Sequence, residues 1–235
     1  MQHPSAIVYL IPSVLYTGAT ETIPAYVLDA IKDCNVFFVE NERSARRYLK
    51  SIWKEMVIDD YKWVTIHKAE EQVRSMFRDH LKKGDHIGII SEAGCPGVAD
   101  PGQLLVDVAQ KAGALVKPLV GPSSILLALM ASGLNGQQFM FKGYLPIDHS
   151  ERNKAIRSME EYSLIHQCTM IFIETPYRNN QLLESLLKHC RPSTRLCIAI
   201  NITSPGENIR TKSIAEWKQA LPVIPKEPAI FLIGA

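Results

Sequence analysis

Short apolar runs alternate with stretches of helical spacing along the whole chain. The runs at 6–11, 36–40, 86–90, 115–120, 139–143, 169–173, 195–202 and 229–233 predict strands. Between them, segments 23–33, 43–53, 68–83, 102–112, 150–162, 178–190 and 214–221 predict helices, with one more after Gly121-Pro122. The third is the clearest: Val73, Met76, Phe77 and Leu81 recur at helical spacing, and Gly84-Asp85 ends the pattern. Such alternation predicts an α/β architecture. A strand running into Gly121-Pro122 suggests two α/β domains, 1–118 and 119–235.

Composition narrows the class. At 235 residues the chain can bury two modest cores, and 46% hydrophobic with 21% charged residues is ordinary for a soluble globular protein. A net charge of +2 is weaker than a dedicated nucleic-acid binder shows, which leaves room only for a local basic patch. The five cysteines, Cys34, Cys95, Cys168, Cys190 and Cys197, have no zinc or redox spacing, and the seven histidines form no ligand pair. No metal site is expected. Free thiols and the lack of a secretory leader predict a cytoplasmic protein. The most apolar late stretch, 116–130, is interrupted by Lys117, Pro118, Gly121 and Pro122, so no membrane span is expected.

Candidate chemistry concentrates where a strand meets a loop rich in glycine and proline. SEAGCPGVADPG at 91–102 leaves the carboxyl end of an expected strand and enters a helix, the place where open α/β sheets bind ligands. Gly94, Gly97 and Gly102 supply permissive dihedrals there, while Asp100 before Pro101 reads as a helix N-cap. PLVGPSSILLALMASGL at 118–134 repeats the theme, with Ser123 or Ser124 placed to cap a helix. Each segment taken singly also fits a plain strand-to-helix turn. No phosphate-loop or dinucleotide fingerprint occurs, which disfavours nucleoside triphosphate chemistry.

Together these segments resemble the tetrapyrrole (corrin/porphyrin) methylase superfamily. SEAGCPGVADPG is similar to its S-D-A-G-x-P-x-x-S-D-P-G signature. Nearest is the branch that methylates a ribose 2′-hydroxyl of small-subunit ribosomal RNA. FKGYLP at 141–146 resembles that branch's F-x-G-F-L-P, and FIETPYR at 172–178 resembles its Y-E-S-P-H-R.

The resemblance implies two α/β domains of the tetrapyrrole-methylase type with the cofactor cleft between them. It implies S-adenosylmethionine as cofactor and a homodimer. Carried over by motif, Ser91, Glu92, Ala93, Gly94, Val98 and Asp100 line one wall, and Pro12 lies beside the transferred methyl group. Ser123 and Ser124 lie near the adenosine or methionine end, and Thr175, Ile200 and Ala229 close the site from the second domain.

Four departures fall at expected ligand-facing loops. The branch's A-T-P-I-G-N-L-x-D becomes IPSVLYTGAT at 11–20, and its E-D-T-R becomes ENER at 40–43. Glu92 replaces the usual Asp, and R-E-L-T-K becomes INITS at 200–204. The cofactor side is thus expected to persist while the acceptor side is altered.

Methyl transfer from a sulfonium is an in-line displacement, in which alignment and exclusion of water are the protein's main tasks. A hydroxyl acceptor also needs a base, and Glu40, ending a strand at the ligand-facing edge, is the first candidate. Glu42, Arg43 and Glu174 are further candidates, each also readable as a solvated charge or ion-pair member. Arg43, Arg46, Arg47, Lys50 and Lys54 fit phosphate contact with ribosomal RNA or a solvated helix face. The neighbouring Tyr48, Trp53, Tyr61 and Trp63 fit either base stacking or packing, and Arg152, Lys154 and Arg157 read as surface. The leading expectation is an RNA ribose methyltransferase. A methyltransferase acting on a small tetrapyrrole-like molecule and a non-catalytic cofactor-binding module are the alternatives.

Overall fold

The computed structural model describes residues 6–66 and 70–235. It divides into two compact units, Met1–Ser123 and Ser124–Ala235, against the 118/119 boundary suggested by the sequence. In the first unit, β1 (Ile7–Ile11), β2 (Val36–Val39), β3 (Lys62–Thr65), β4 (Ile87–Ile90) and β5 (Leu115–Pro118) form one sheet in the order β3-β2-β4-β1-β5. Every pairing in it is parallel. Parallel neighbours need crossovers, and α1 (Val27–Lys32), α2 (Glu42–Ile52), α3 (Glu70–Lys83) and α4 (Gln103–Lys111) supply them. Strands covered on both faces read as unbroken apolar runs, and β2 and β4 are buried at every position.

The crossover helices separate by face. Tyr9, Ile11, Phe37 and Val39 pack with Val27 and Ile31 of α1 and with Ala45, Tyr48 and Leu49 of α2. Val8, Val36, Phe38, Ile87 and Ile89 pack on the other side with Phe77 and Leu81 of α3 and Leu105 and Val108 of α4.

The second unit is mixed. Its strands β6 (Phe139–Tyr144), β7 (Thr169–Glu174), β8 (Arg195–Ile200), β9 (Asn208–Ser213) and β10 (Ala229–Gly234) run in the order β6-β7-β10-β8-β9. Only β6 and β7 are parallel. The helices are α5 (Ser124–Ser132), α6 (His149–His166), α7 (Asn179–His189) and α8 (Ile214–Gln219). Ile156, Met159, Leu182, Leu186 and Trp217 from α6, α7 and α8 meet Phe172, Ile198 and Phe231 of the sheet in one core.

Several expectations need correction. β3 and β9 lack an apolar run: each is an edge strand, and β9 reads Asn-Ile-Arg-Thr-Lys-Ser. Charges on an exposed edge discourage pairing with other chains, and they also hide the strand from a hydrophobicity reading. The first helix starts at Val27 rather than 23, after a turn of 3₁₀ helix at Thr20–Thr22. Lys68 and Ala69, the expected start of the third helix, lie outside the described residues. Arg152 is not on the surface. It falls on the inward stripe of α6 with Ile156, Met159 and Ser163, and is only 1% exposed. Its guanidinium donates to His149 Nδ1 at 2.6 Å and to the Ile147 carbonyl at 3.4 Å. Among the described residues, no helix is long and apolar enough to cross a membrane, and no cluster of His, Cys, Asp or Glu suits a metal ion.

Candidate functional site

β1 and β4 lie side by side and parallel, yet the chain leaves them toward opposite faces. After β1 it enters α1, and after β4 it enters α4 on the other side. Adjacent parallel strands whose crossovers diverge leave a crevice at their carboxyl ends, the usual ligand position in open α/β sheets. Pro12 and Ser13 follow β1 at this place, and residues 91–102 follow β4.

The two loops are bound to each other. Ser13 N donates to the Gly94 carbonyl at 2.8 Å, and Gly94 N donates back to the Ser13 carbonyl at 3.1 Å. Ser13 Oγ donates to the Ser91 carbonyl at 2.9 Å. Gly94 holds φ +74°, a left-handed value that side chains rarely adopt. Beside it Gly121 lies against Pro12: a Cβ built on Gly121 would stand 2.1 Å from Pro12 Cβ. From α2, the Tyr48 hydroxyl donates to the Pro12 carbonyl at 2.6 Å, and burial pushes the phenol's pKa up. Pro12, Ser91 and Gly94 are therefore buried framework, whereas Glu92, Ala93 and Val98 are exposed.

Asp100 corrects an expectation. The helix begins at Gln103 with Gly102 as its N-cap, two residues later than the proline pattern suggested. The Asp100 carboxylate instead spans its own loop, accepting from Gly97 N at 3.0 and 2.9 Å and from Gly102 N at 2.7 Å. Burial raises its pKa from the ordinary carboxylate value, against these two backbone donors, with the Glu40 charge adding to the rise. Glu40 itself stands at the end of β2, where its Oε2 accepts from Glu92 N at 3.0 Å. Glu92 Oε1 in turn receives the Ser44 hydroxyl at 3.4 Å. Three carboxylates thus gather at one edge of the sheet.

The altered ENER segment has a local explanation. Asn41 caps α2, accepting from Arg43 N at 3.0 Å and Ser44 N at 3.2 Å, a task that Asn and Asp perform about equally well. Glu42 pairs with Arg46 at 2.5 Å, and Arg46 lies 5.1 Å from the Trp63 ring centroid. Lys50 Nζ donates to the carbonyls of Lys54 and Met56 at 2.5 and 2.9 Å, closing the helix end. Arg43 and Arg47 remain exposed one turn apart, and Lys54 is exposed beyond the helix. The aromatic residues pack inward: Tyr61 and Trp63 lie 5.3 and 5.0 Å from Phe37, and Trp53 lies 6.3 Å from Tyr61.

In the second unit, Ala229 pairs with Glu174 of β7 on one side and Ile200 of β8 on the other. Thr175, the next residue after Glu174, therefore shares one sheet end with Ile200 and Ala229. Glu174 is held: its Oε1 accepts from Thr175 N at 2.6 Å and from Arg178 Nε and Nη2 at 2.9 and 2.6 Å. Ser123 closes the first unit, and Ser124 is the first residue of α5 in the second. Sequence reasoning missed Ser13 and the hydrogen bond from Tyr48 to Pro12. Neither carries a local signal, because their partners are 78 and 36 positions away.

A family model described as tetrapyrrole (corrin/porphyrin) methylases matches residues 17–218. Ribosomal RNA small subunit methyltransferase I of Vibrio cholerae is 29% identical over 213 residues, which cover 89% of this chain and 69% of that protein. The protein of the same name from Bacillus subtilis is 29% identical over 180 residues, 77% of this chain and 58% of its own length. Among solved structures, uroporphyrin-III C-methyltransferase of Thermus thermophilus, in complex with S-adenosylhomocysteine, superposes with a TM-score of 0.56 at 16% identity. That alignment covers 97% of each chain and reflects a shared fold.

Proposed function

The chain belongs to the tetrapyrrole (corrin/porphyrin) methylase family, and on that premise we propose that it methylates a ribose 2′-hydroxyl of ribosomal RNA. In this reading S-adenosylmethionine is held at the carboxyl end of β1 and β4 by Pro12, Ser91, Glu92, Ala93, Gly94, Val98 and Asp100. Ser123, Ser124, Thr175, Ile200 and Ala229 contribute to the same ligand, and the protein works in the cytoplasm as a homodimer. The observation that carries the reading is the switch point itself, where the exposed residues Glu92 and Ala93 stand beside the Glu40 carboxylate. An acidic edge suits a ligand whose sulfonium and ammonium groups are cationic.

When bound, the cofactor would supply an electrophilic methyl group to the acceptor oxygen, with the neutral thioether as leaving group and the hydroxyl proton passing to a base of the protein. The chain's own work is orientation and exclusion of water. Pro12 and Gly121 form a tight apolar wall, and the Ser13–Gly94 bridge fixes the loop beside it. Glu40 is the proposed base for the hydroxyl proton, its Oε2 anchored on Glu92 N at 3.0 Å. Arg43 and Arg47, exposed on α2, supply phosphate contacts.

The test is transfer of labelled methyl from S-adenosylmethionine to purified 30S subunits and to a low-molecular-weight extract. The proposal expects label in ribosomal RNA, in a dinucleotide that resists alkaline hydrolysis because its 2′-oxygen is blocked. Label confined to the small-molecule extract, or to a base rather than a ribose, contradicts it.

A further inference from the structure

We propose that Tyr48 is a positioning residue for the cofactor: by holding the Pro12 carbonyl, its hydroxyl fixes the end of β1 in the shape that the ligand meets. The inference rests on the reading that S-adenosylmethionine binds at the β1/β4 crevice. It concerns a residue that touches neither the cofactor nor the acceptor.

Every backbone polar group at positions 12 and 13 is taken by the protein. Pro12 has no N–H, and its carbonyl accepts from Tyr48 at 2.6 Å. Ser13 N and O are both spent on Gly94. This segment therefore meets a ligand as a shaped surface, not as a source of hydrogen bonds. Its shape depends on which way the Pro12 carbonyl points. Pro12 is buried, so without Tyr48 that carbonyl would have no partner, a state costing about 1–3 kcal/mol. The peptide would relieve that cost by rotating toward water. Rotation would pull on the Ser13–Gly94 bridge and on the tight Pro12–Gly121 contact, the two features that shape the crevice wall.

The fold provides an internal control. Tyr9 lies on β1, the strand that leads into Pro12, is 6% exposed, and hydrogen-bonds through its hydroxyl to Asp33 at 2.5 Å. Its hydroxyl meets Asp33, whose side chain is 45% exposed, away from the crevice loops. A general loss of stability would follow from removing either hydroxyl, whereas a loss of ligand affinity should follow only from Tyr48.

The experiment compares S-adenosylhomocysteine affinity, by calorimetry, in wild type, Tyr48→Phe and Tyr9→Phe, with thermal melts of all three. Tyr48→Phe is expected to weaken binding about tenfold, while Tyr9→Phe stays within about twofold whatever its melting shift. Wild-type affinity in Tyr48→Phe, or equal weakening in both variants, overturns the proposal. Wild type that binds no S-adenosylhomocysteine overturns the cofactor reading as well, so the two failures are distinguishable. Should Tyr48→Phe not fold, amide hydrogen exchange of the wild type replaces it. Saturating ligand should slow exchange at Ser13 and Gly94 and leave the Asn35 and Asp85 amides unchanged, and unaltered exchange at Ser13 and Gly94 overturns the proposal.

Discussion

The two ends of the first sheet differ in how many of their loops are braced against one another. At the carboxyl end, loops distant in sequence are tied directly to one another: Ser13 to Gly94, Tyr48 to Pro12, and Glu40 to the backbone of Glu92. At the amino end, turns such as Gly84 N to the Leu81 carbonyl and Gly113 N to the Gln110 carbonyl close on themselves, and distant loops meet through Asn35 and His86, with Asn35 N on the His86 carbonyl and His86 N on Asn35 Oδ1, both at 2.8 Å. Side chains there form exchangeable pairs such as Lys111–Asp107 at 2.6 Å. A cavity of about 540 Å³ also lies at that end, between α3 and α4, walled by Arg78, Lys82, Lys111 and Asp107. Its size does not make it the site. Its walls mix surface charges with Ala6, Leu81 and Val108 and hold none of residues 91–102, while the opposite end holds those residues through backbone and buried side-chain groups. Preorganisation, not volume, is the ground for placing the proposed site at the carboxyl end.

The sharpest way to break this contrast is to add the same methyl group at both ends. Gly121→Ala puts a Cβ 2.1 Å from Pro12 Cβ, a ring atom held by β1, and should cost about 3 kcal/mol or more in denaturant unfolding. Gly113→Ala meets no atom within 4 Å and bears only its left-handed φ of +69°, so about 1 kcal/mol is expected. Equal losses would mean that the carboxyl end is no more tightly built than the other.

A smaller effect tests the loop brace. Asp100→Ala strands the Gly97 and Gly102 N–H groups and should cost about 1–3 kcal/mol, whereas Asp100→Asn keeps an acceptor oxygen. Burial raises the Asp100 pKa in the folded protein, so the folded state retains a proton that the unfolded state has already released. Stability from this group therefore falls as pH rises through the interval just above 3.8, and Asp100→Asn should remove that fall. Urea melts between pH 3.5 and 7 would show it; a wild type and Asn variant with parallel pH profiles would contradict it.

What the sequence disclosed follows the range of the forces involved. Strands buried on both faces, such as Val36–Val39 and Ile87–Ile90, announce themselves as apolar runs, and residues 91–102 through glycine and proline. Edge strands β3 and β9 do not, because one side needs no burial and β9 alternates polar residues. The pairing of Ala229 with both Glu174 and Ile200 brings together three segments that the motifs could name but not join. Asn41 looked like a loss against the family pattern until its role as a cap explained it. Arg152 looked like surface because its basic cluster is interleaved with Glu151, Glu160 and Glu161, and only the helical stripe places it inside.

The most direct test is calorimetric titration of S-adenosylhomocysteine into wild type and Ala93→Trp. Ala93 is the better position for a bulky probe than Gly94, since it is exposed and bears no left-handed strain. Binding by wild type, weakened at least about tenfold in a folded Ala93→Trp, is the predicted result. No binding by a folded wild type, or undiminished binding by the variant, would contradict a cofactor site at the carboxyl end of β1 and β4.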